Sequence, residues 1–293
     1  MKIVSSFMNE INLKRNQYHT IMFESSYMQQ EFRLLINNYF ATRRNSKLEE
    51  NNYLKIIDKN LRDIDRKDIY FISFECNKIN LKEDRQTDQL IKNYLFYYLE
   101  NNPEIIHDYI QFQQEVEMFI ERIKLTDASL SIEFDLTERS IQNFIKSLDI
   151  YMEYDKNEYV PNYILRNRLI QLLLKLNYAE KDVILLISYP ETDVGLNDFE
   201  KVIQNLKALN LTTVVLTSEP SFLTSAEPEN IFMVNQQGVL YDIVKLKEEL
   251  KAFQLVHENN STDIVNWLAY CDFTQQFTVL DLKWKEFLES EKL

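Results

Sequence analysis

Glycine is almost missing from this chain: its 293 residues hold two, Gly195 and Gly238. A Walker-type phosphate loop needs two glycines and a lysine within about eight residues, and a dinucleotide fingerprint needs two or three within about six. Neither can be written here, so nucleotide binding of the usual kind is excluded. Cysteine is as scarce. Cys76 and Cys271 cannot make a disulfide framework, and neither stands in a metal-type pair. Each reads most simply as a reduced, partly buried thiol. No apolar run approaches the ~20 residues a bilayer span needs. The start, MKIVSSFMNE, has no basic region followed by a long apolar stretch, so no secretory signal is read there. A cytoplasmic location is the expectation. A Gly-x-Ser-x-Gly elbow and a Cys–His signature are also missing. His19, His107 and His257 stand far apart without acids or cysteines at metal-ligand spacing, and read as structural or surface groups. The expectation is a protein that is not an enzyme.

What is present is apolar and charged in ample measure. Apolar residues make up 45% of the chain, enough to build one large or two modest packed domains rather than a disordered polymer. The net charge of -13 argues at first against a polyanionic partner. Its distribution argues otherwise. From Ala41 to Lys67 eight bases face five acids, a net +3, and Pro161–Tyr178 holds Arg166, Arg168 and Lys175 with no acid, again +3. The rest of the chain therefore carries -19 against the total of -13. Charge is segregated rather than spread.

The stretch Asp182–Ser218 organises the fold. Val183–Ile187 is a continuous apolar run ended by Pro190, as a strand buried on both faces should be. Phe199, Val202, Ile203, Leu206 and Leu209 then recur at helical spacing, with Asn197 read as the N-cap and Glu200 as its partner three residues on. Val214–Leu216 is a second short strand. Strand, helix and strand make a βαβ crossover with two parallel strands. Upstream, IVSSF, INL and TIMF read as strands, Ser25 or Ser26 caps a helix carrying Phe32, Leu35 and Ile36, and Tyr53–Ile57 and Ile69–Phe74 are further strands. The middle reads as helical: Asp84–Glu100, Pro103–Lys124, Glu138–Leu148 and Asn162–Asn177. Ile231–Val234 and Val239–Ile243 flank Asn235–Gly238 as a hairpin. The tail, with Trp267 and Trp284, supplies two or three helices that dock either on the core or on a neighbouring subunit. The expected organisation is an α/β head over 1–82 and 179–244, an inserted α-helical lobe over 83–178, and a helical extension over 245–293.

Three constellations stand out. Glu133, Asp135 and Glu138 in SIEFDLTERS cluster hard oxygen ligands that suit calcium, or else line a solvated edge strand and a helix N-terminus. Glu191 and Asp193 follow the buried strand where nucleotide hydrolases hold magnesium, but with no phosphate loop to serve they read as a remnant or a polar loop. The basic stretch with Arg43, Arg44, Lys47, Lys59, Arg62 and Arg66, and the acid-free stretch with Arg166 and Arg168, are candidates for phosphate contact or ordinary solvated charge.

Taken in order, INLKRNQYHTIMFESSYMQQEFRLLINNYF, DIYFISFECNKINL, SIEFDLTERSIQNFIKSLDIYMEY and YILRNRLIQLLLKLNYAEKDVILLISYPETDVGLNDFEKVIQNLKALNLTTVVLTSEP resemble the CRISPR-associated adaptation protein of type II-A systems, the Csn-two family. The resemblance covers about residues 1–245; the tail departs from the shorter members. It implies an α/β head with a partly parallel sheet, like a P-loop hydrolase that has lost its Walker loop, and a helical leg. It implies a homotetrameric ring, bound calcium, and sequence-independent binding of linear double-stranded DNA. Its role would be spacer acquisition, alongside the integrase proteins and the RNA-guided nuclease of the same system. Glu133, Asp135 and Glu138 fall on the family's acidic segment and are the calcium candidates it implies. The alternative from another class is a metal-dependent nuclease or phosphoesterase using the same three carboxylates.

Overall fold

The computed structural model describes residues 1–41, 52–75, 85–122, 125–127, 130–132, 141–148, 164, 171, 182–253, 255 and 261–290. By contact the chain forms two compact units. One is Met1–Lys78 with Pro161–Ile164 and Tyr178–Leu293; the other is Ile79–Val160 with Leu165–Asn177.

The first unit begins with two antiparallel strands, β1 (Lys2–Ser5) and β2 (Met8–Asn12), whose register slips between Ile3 and Ser5. A polar turn leads into β3 (Tyr18–Phe23), buried at every position. Helix α1 (Ser26–Phe40) follows, with Ser25 as its N-cap accepting the Met28 N–H. Its Phe32, Leu35 and Ile36 are buried, and the Phe32 ring lies 5.3 Å from that of Phe23. β4 (Leu54–Ile57) then pairs antiparallel with β1, making a small sheet of order β2-β1-β4. Its inward residues Ile3, Ile11, Leu54 and Ile56 join α1 and the larger sheet in one core. β5 (Ile69–Glu75) completes the first half.

The second unit is described mostly as helix. α2 (Arg85–Glu100) and α3 (Pro103–Arg122) are long; Pro103 starts its helix where a missing N–H costs nothing. Two short antiparallel strands, β6 (Leu125–Asp127) and β7 (Leu130–Ile132), precede α4 (Ile141–Ser147). Phe144 of α4 lies 5.3 Å from the ring of Tyr109 and 5.9 Å from that of Phe112 on α3. The expected Asn162–Asn177 helix falls almost wholly outside the described residues.

The remainder of the first unit carries the crossover read from the sequence. β8 (Asp182–Ser188), α5 (Phe199–Ala208) and β9 (Thr212–Leu216) form it, with β8 and β9 adjacent and parallel from Ile184 opposite Thr212 to Ser188 opposite Leu216. Phe199, Val202, Ile203 and Leu206 are the buried face of α5. The cap differs from the expectation. Asn197 lies in a short 3-10 turn (Leu196–Asp198), and Asp198 is the N-cap without a side-chain bond. The turn's own Asp198 N–H donates to Gly195 O at 2.8 Å, so a tightened entry replaces the side-chain cap.

A single-turn helix, α6 (Pro220–Leu223), leads to β10 (Ile231–Val234). Here the hairpin expectation is corrected. β10 pairs in parallel with β3, and all five strands of the large sheet run parallel in the order β10-β3-β9-β8-β5. Residues 239–241 fold back only as a single bridge, Val234 opposite Leu240, with the Tyr241 N–H on Met233 O at 2.8 Å. A four-residue strand buried throughout is held by the sheet; the turn at Gly238 (φ 77°) merely closes its exposed side. α7 (Ile243–Ala252), α8 (Ser261–Phe273) and α9 (Leu282–Ser290) end the chain. They dock on their own head: Asn266 donates from Nδ2 to Thr224 O at 2.8 Å and Ala226 O at 2.9 Å, and the Tyr241 hydroxyl donates to Asp272 at 2.6 Å.

Candidate nucleic-acid interface

The C-terminal ends of parallel strands are where α/β sheets take their ligands. In this sheet the described part of that edge is acidic, with Glu24 after β3 and Glu191 after β8. β3 reaches α1 through Glu24 and Ser25 alone, two residues where a Walker loop needs about eight. Ser25 spends its hydroxyl on the helix, and Glu24 accepts the Gln236 N–H at 3.1 Å and its side-chain amide at 3.4 Å. Glu191, after β8, accepts the Thr217 hydroxyl at 2.9 Å and the Ser218 N–H at 3.4 Å, tying the ends of β8 and β9 together. Its carboxylate is a brace between strands. Among the described residues of this edge a phosphate would meet the carboxylates of Glu24 and Glu191.

The described residues of the basic stretch lie on β4 and in the turns that follow it. β4 alternates, burying Leu54 and Ile56 and turning Lys55 outward on the same side as the exposed Tyr53. After it the chain makes a tight turn. Asp58 donates its N–H to Arg62 O at 2.9 Å, and its Oδ1 accepts the N–H groups of Asn60 (2.7 Å) and Arg62 (2.9 Å). Those bonds, the Arg62 N–H first, hold the Asp58 carboxyl below its ordinary value. Lys59 and Arg62 leave this turn exposed to solvent.

Arg66 has a different task. It is half-buried, and its Nη1 donates to Tyr39 O at 3.2 Å and Ala41 O at 2.7 Å. A cation is thereby set on the C-terminal end of α1, where the helix dipole and unpaired carbonyls favour it. At the other end of residues 42–51, Ser6 donates its N–H to Tyr53 O at 3.0 Å and its hydroxyl to Asn52 at 3.2 Å. The described residues on either side of 42–51 are thus held, Ala41 by Arg66 and Asn52–Tyr53 by Ser6. Arg43, Arg44, Lys47, Arg166, Arg168, and the acids Glu133, Asp135 and Glu138 lie outside the described residues. Among the described residues no group of three His, Cys, Asp or Glu is placed to hold a metal ion. Nor is any helix among them long and apolar enough to cross a membrane.

His19 is fully buried in β3. Its Nε2 accepts the Lys14 N–H at 2.9 Å, so Nδ1 carries the proton and donates to Thr213 O at 3.2 Å. Burial pushes its pKa down to about 4, and the ring stays neutral as a link between β3 and β9. Cys271 is a free, buried thiol whose pKa burial pushes up to about 11. Two residues of the basic face escaped the sequence reading, the exposed Tyr53 and Leu61. Their only sequence signal is an apolar side chain set among cations.

No family model and no curated protein matches the sequence. Among solved structures, Stu0660 of Streptococcus thermophilus matches over 100% of both chains, with a TM-score of 0.66 and 13% identity. The chain has the fold of Stu0660. The α/β head with a parallel sheet and the helical C-terminal part expected from the sequence are what the structure shows. At 13% identity the likeness establishes the mixed α/β fold, with its five parallel strands and helical C-terminal part.

Proposed function

We propose that this protein binds linear double-stranded DNA without regard to sequence, as a non-catalytic ring of four copies acting in CRISPR spacer acquisition. The observation that carries the reading is the basic face of the small sheet. There Lys55, Lys59 and Arg62 are exposed, in a stretch of net +3 within a chain whose remainder is acidic. Lys59, Arg62, Arg43, Arg44, Lys47, Arg166 and Arg168 would contact phosphates, while Arg66 is engaged with the carbonyls of Tyr39 and Ala41. The acidic edge of the large sheet supports binding without nucleotide hydrolysis. A ring of copies sets the basic face inside and leaves acid outside. Phe112, Met118 and Phe119, 49%, 51% and 63% exposed along α3, give a neighbouring copy apolar surface to cover. Glu133, Asp135 and Glu138 would hold calcium; three carboxylates are the hard oxygen donors that ion takes, and bound calcium offsets their charge. The integrase proteins and the RNA-guided nuclease of the same system are the expected partners.

The test is a titration of linear and covalently closed duplexes at several salt concentrations, with and without calcium, alongside particle mass in solution. Preference for linear DNA is expected, with log affinity falling by about 0.9 per neutralised phosphate for each unit of log salt. Salt-independent binding, or a monomer under all conditions, contradicts the reading. Cleavage of the duplex with magnesium or manganese would replace it with the nuclease based on Glu133, Asp135 and Glu138.

A further inference from the structure

At the tip of the Asp58–Arg62 turn stands a leucine in a conformation that packing does not repay. Leu61 has φ 61°, in the left-handed region, where a residue with a bulky side chain is held at a cost. The other described non-glycine residues there are Asn16, Tyr189, Asn210 and Gln275, and each has a reason. Asparagine tolerates the region. Tyr189 is fixed to the sheet by its N–H on Leu216 O at 2.8 Å, and Gln275 ends α8, where the next N–H returns to Cys271 O at 2.9 Å. Leu61 bonds only its N–H to Asp58 O at 3.1 Å, which glycine or asparagine would do as well. Its side chain is 67% exposed.

The turn presents that side chain stiffly. Four backbone N–H groups and the Asp58 carboxylate close it, and Ile57 bridges Asp63 behind it. Lys59 and Arg62 flank the leucine and are both exposed. A rigid protrusion with one apolar tip between two cations differs from a protein-docking patch, which is broad and apolar at its centre. It has the make-up of minor-groove wedges, in which cations straddle the backbones and an aliphatic side chain parts a base step.

We infer that Leu61 is a wedge for duplex DNA: with Lys59 and Arg62 on the phosphates, its isobutyl group enters the minor groove and unstacks one step. This rests on the DNA-binding reading above and adds what the bound duplex undergoes. It requires no base-specific hydrogen bond, and so agrees with binding that ignores sequence.

The experiment uses the full chain and a linear duplex of about 30 base pairs carrying 2-aminopurine at an interior T-A step, a length over which kinks are measurable. Mobility shift reports binding and fluorescence reports unstacking. The wild-type protein should raise fluorescence severalfold at saturation. Leu61→Ala and Leu61→Gly should saturate the duplex at higher protein concentration without that rise. Lys59→Ala/Arg62→Ala should weaken binding and flatten the salt slope by nearly two, since each neutralised phosphate contributes about 0.9, yet keep the rise once saturated. Melting of each variant checks that it is folded. A wild-type complex that shifts without a rise, or Leu61→Gly giving the wild-type rise, overturns the wedge and leaves DNA binding standing. No shift at any salt overturns both.

Discussion

His19 and Leu61 show how much one side chain's surroundings decide. The fold keeps His19 neutral, so the unfolded chain binds its proton more readily. A pKa lowered from the ordinary 6.5 to about 4 means that its contribution is present above pH 6.5 and is lost as pH falls toward 4. On the order of 2 kcal/mol of stability should disappear across that window. Urea midpoints at pH 7 and pH 4.5 should separate more for the wild-type protein than for His19→Asn; equal separation would remove His19 from the account. Leu61 runs the other way. Leu61→Gly relieves the left-handed backbone and should raise stability by about 1 kcal/mol, read as a higher denaturant midpoint. The sequence read His19 as a structural or surface group and Arg62 and Arg66 as basic. It could not show that Arg66 is engaged with the carbonyls of Tyr39 and Ala41, because that contact joins residues 25 positions apart. Arg66→Ala should therefore free the C-terminal end of α1 and cost about 1–2 kcal/mol of stability, read as an earlier urea midpoint. Arg62→Ala should weaken DNA binding alone.

Among the elements, those with a strong local pattern were legible. β8, α5 and β9 declared themselves through a buried apolar run, an amphipathic repeat and a second run, and of the two serines read as the cap of α1, Ser25 and Ser26, the structure takes Ser25. Ser25→Ala should cost about 1 kcal/mol in thermal or urea unfolding. β10 was legible as a strand but not as a parallel one. Asn235–Gly238 is a persuasive turn sequence, whereas the partner strand β3 lies some 210 residues earlier and leaves no mark nearby. Asn197 misled for a related reason: an asparagine before a helix fits a cap, but the 3-10 turn takes it. Gly238 is needed where it stands. Its φ is 77°, and an added Cβ would come within 3.0 Å of Phe7 O. Gly238→Ala should destabilise the head by about 2 kcal/mol, seen as an earlier urea midpoint, with β1–β2 disturbed as well as the turn.

For the molecule as a whole, the docking of α7–α9 on the head is something composition left open. Trp267 and Trp284 marked the tail as helical and apolar without naming the surface beneath it. Asn266, 1% exposed, fastens α8 through two carbonyls, and Asn266→Ala would leave both buried and unpaired. A loss of about 2–3 kcal/mol is expected, with the tail and head still melting together; two separate transitions would mean that the tail is an independent domain. The junction between β3 and α1 also bears on the protein's history. A working nucleotide cradle there would require about six inserted residues, at least two of them glycine, together with removal of Glu24. No series of point substitutions provides that extra backbone. Single-codon changes therefore cannot build a phosphate loop of that kind between β3 and α1; only an insertion could.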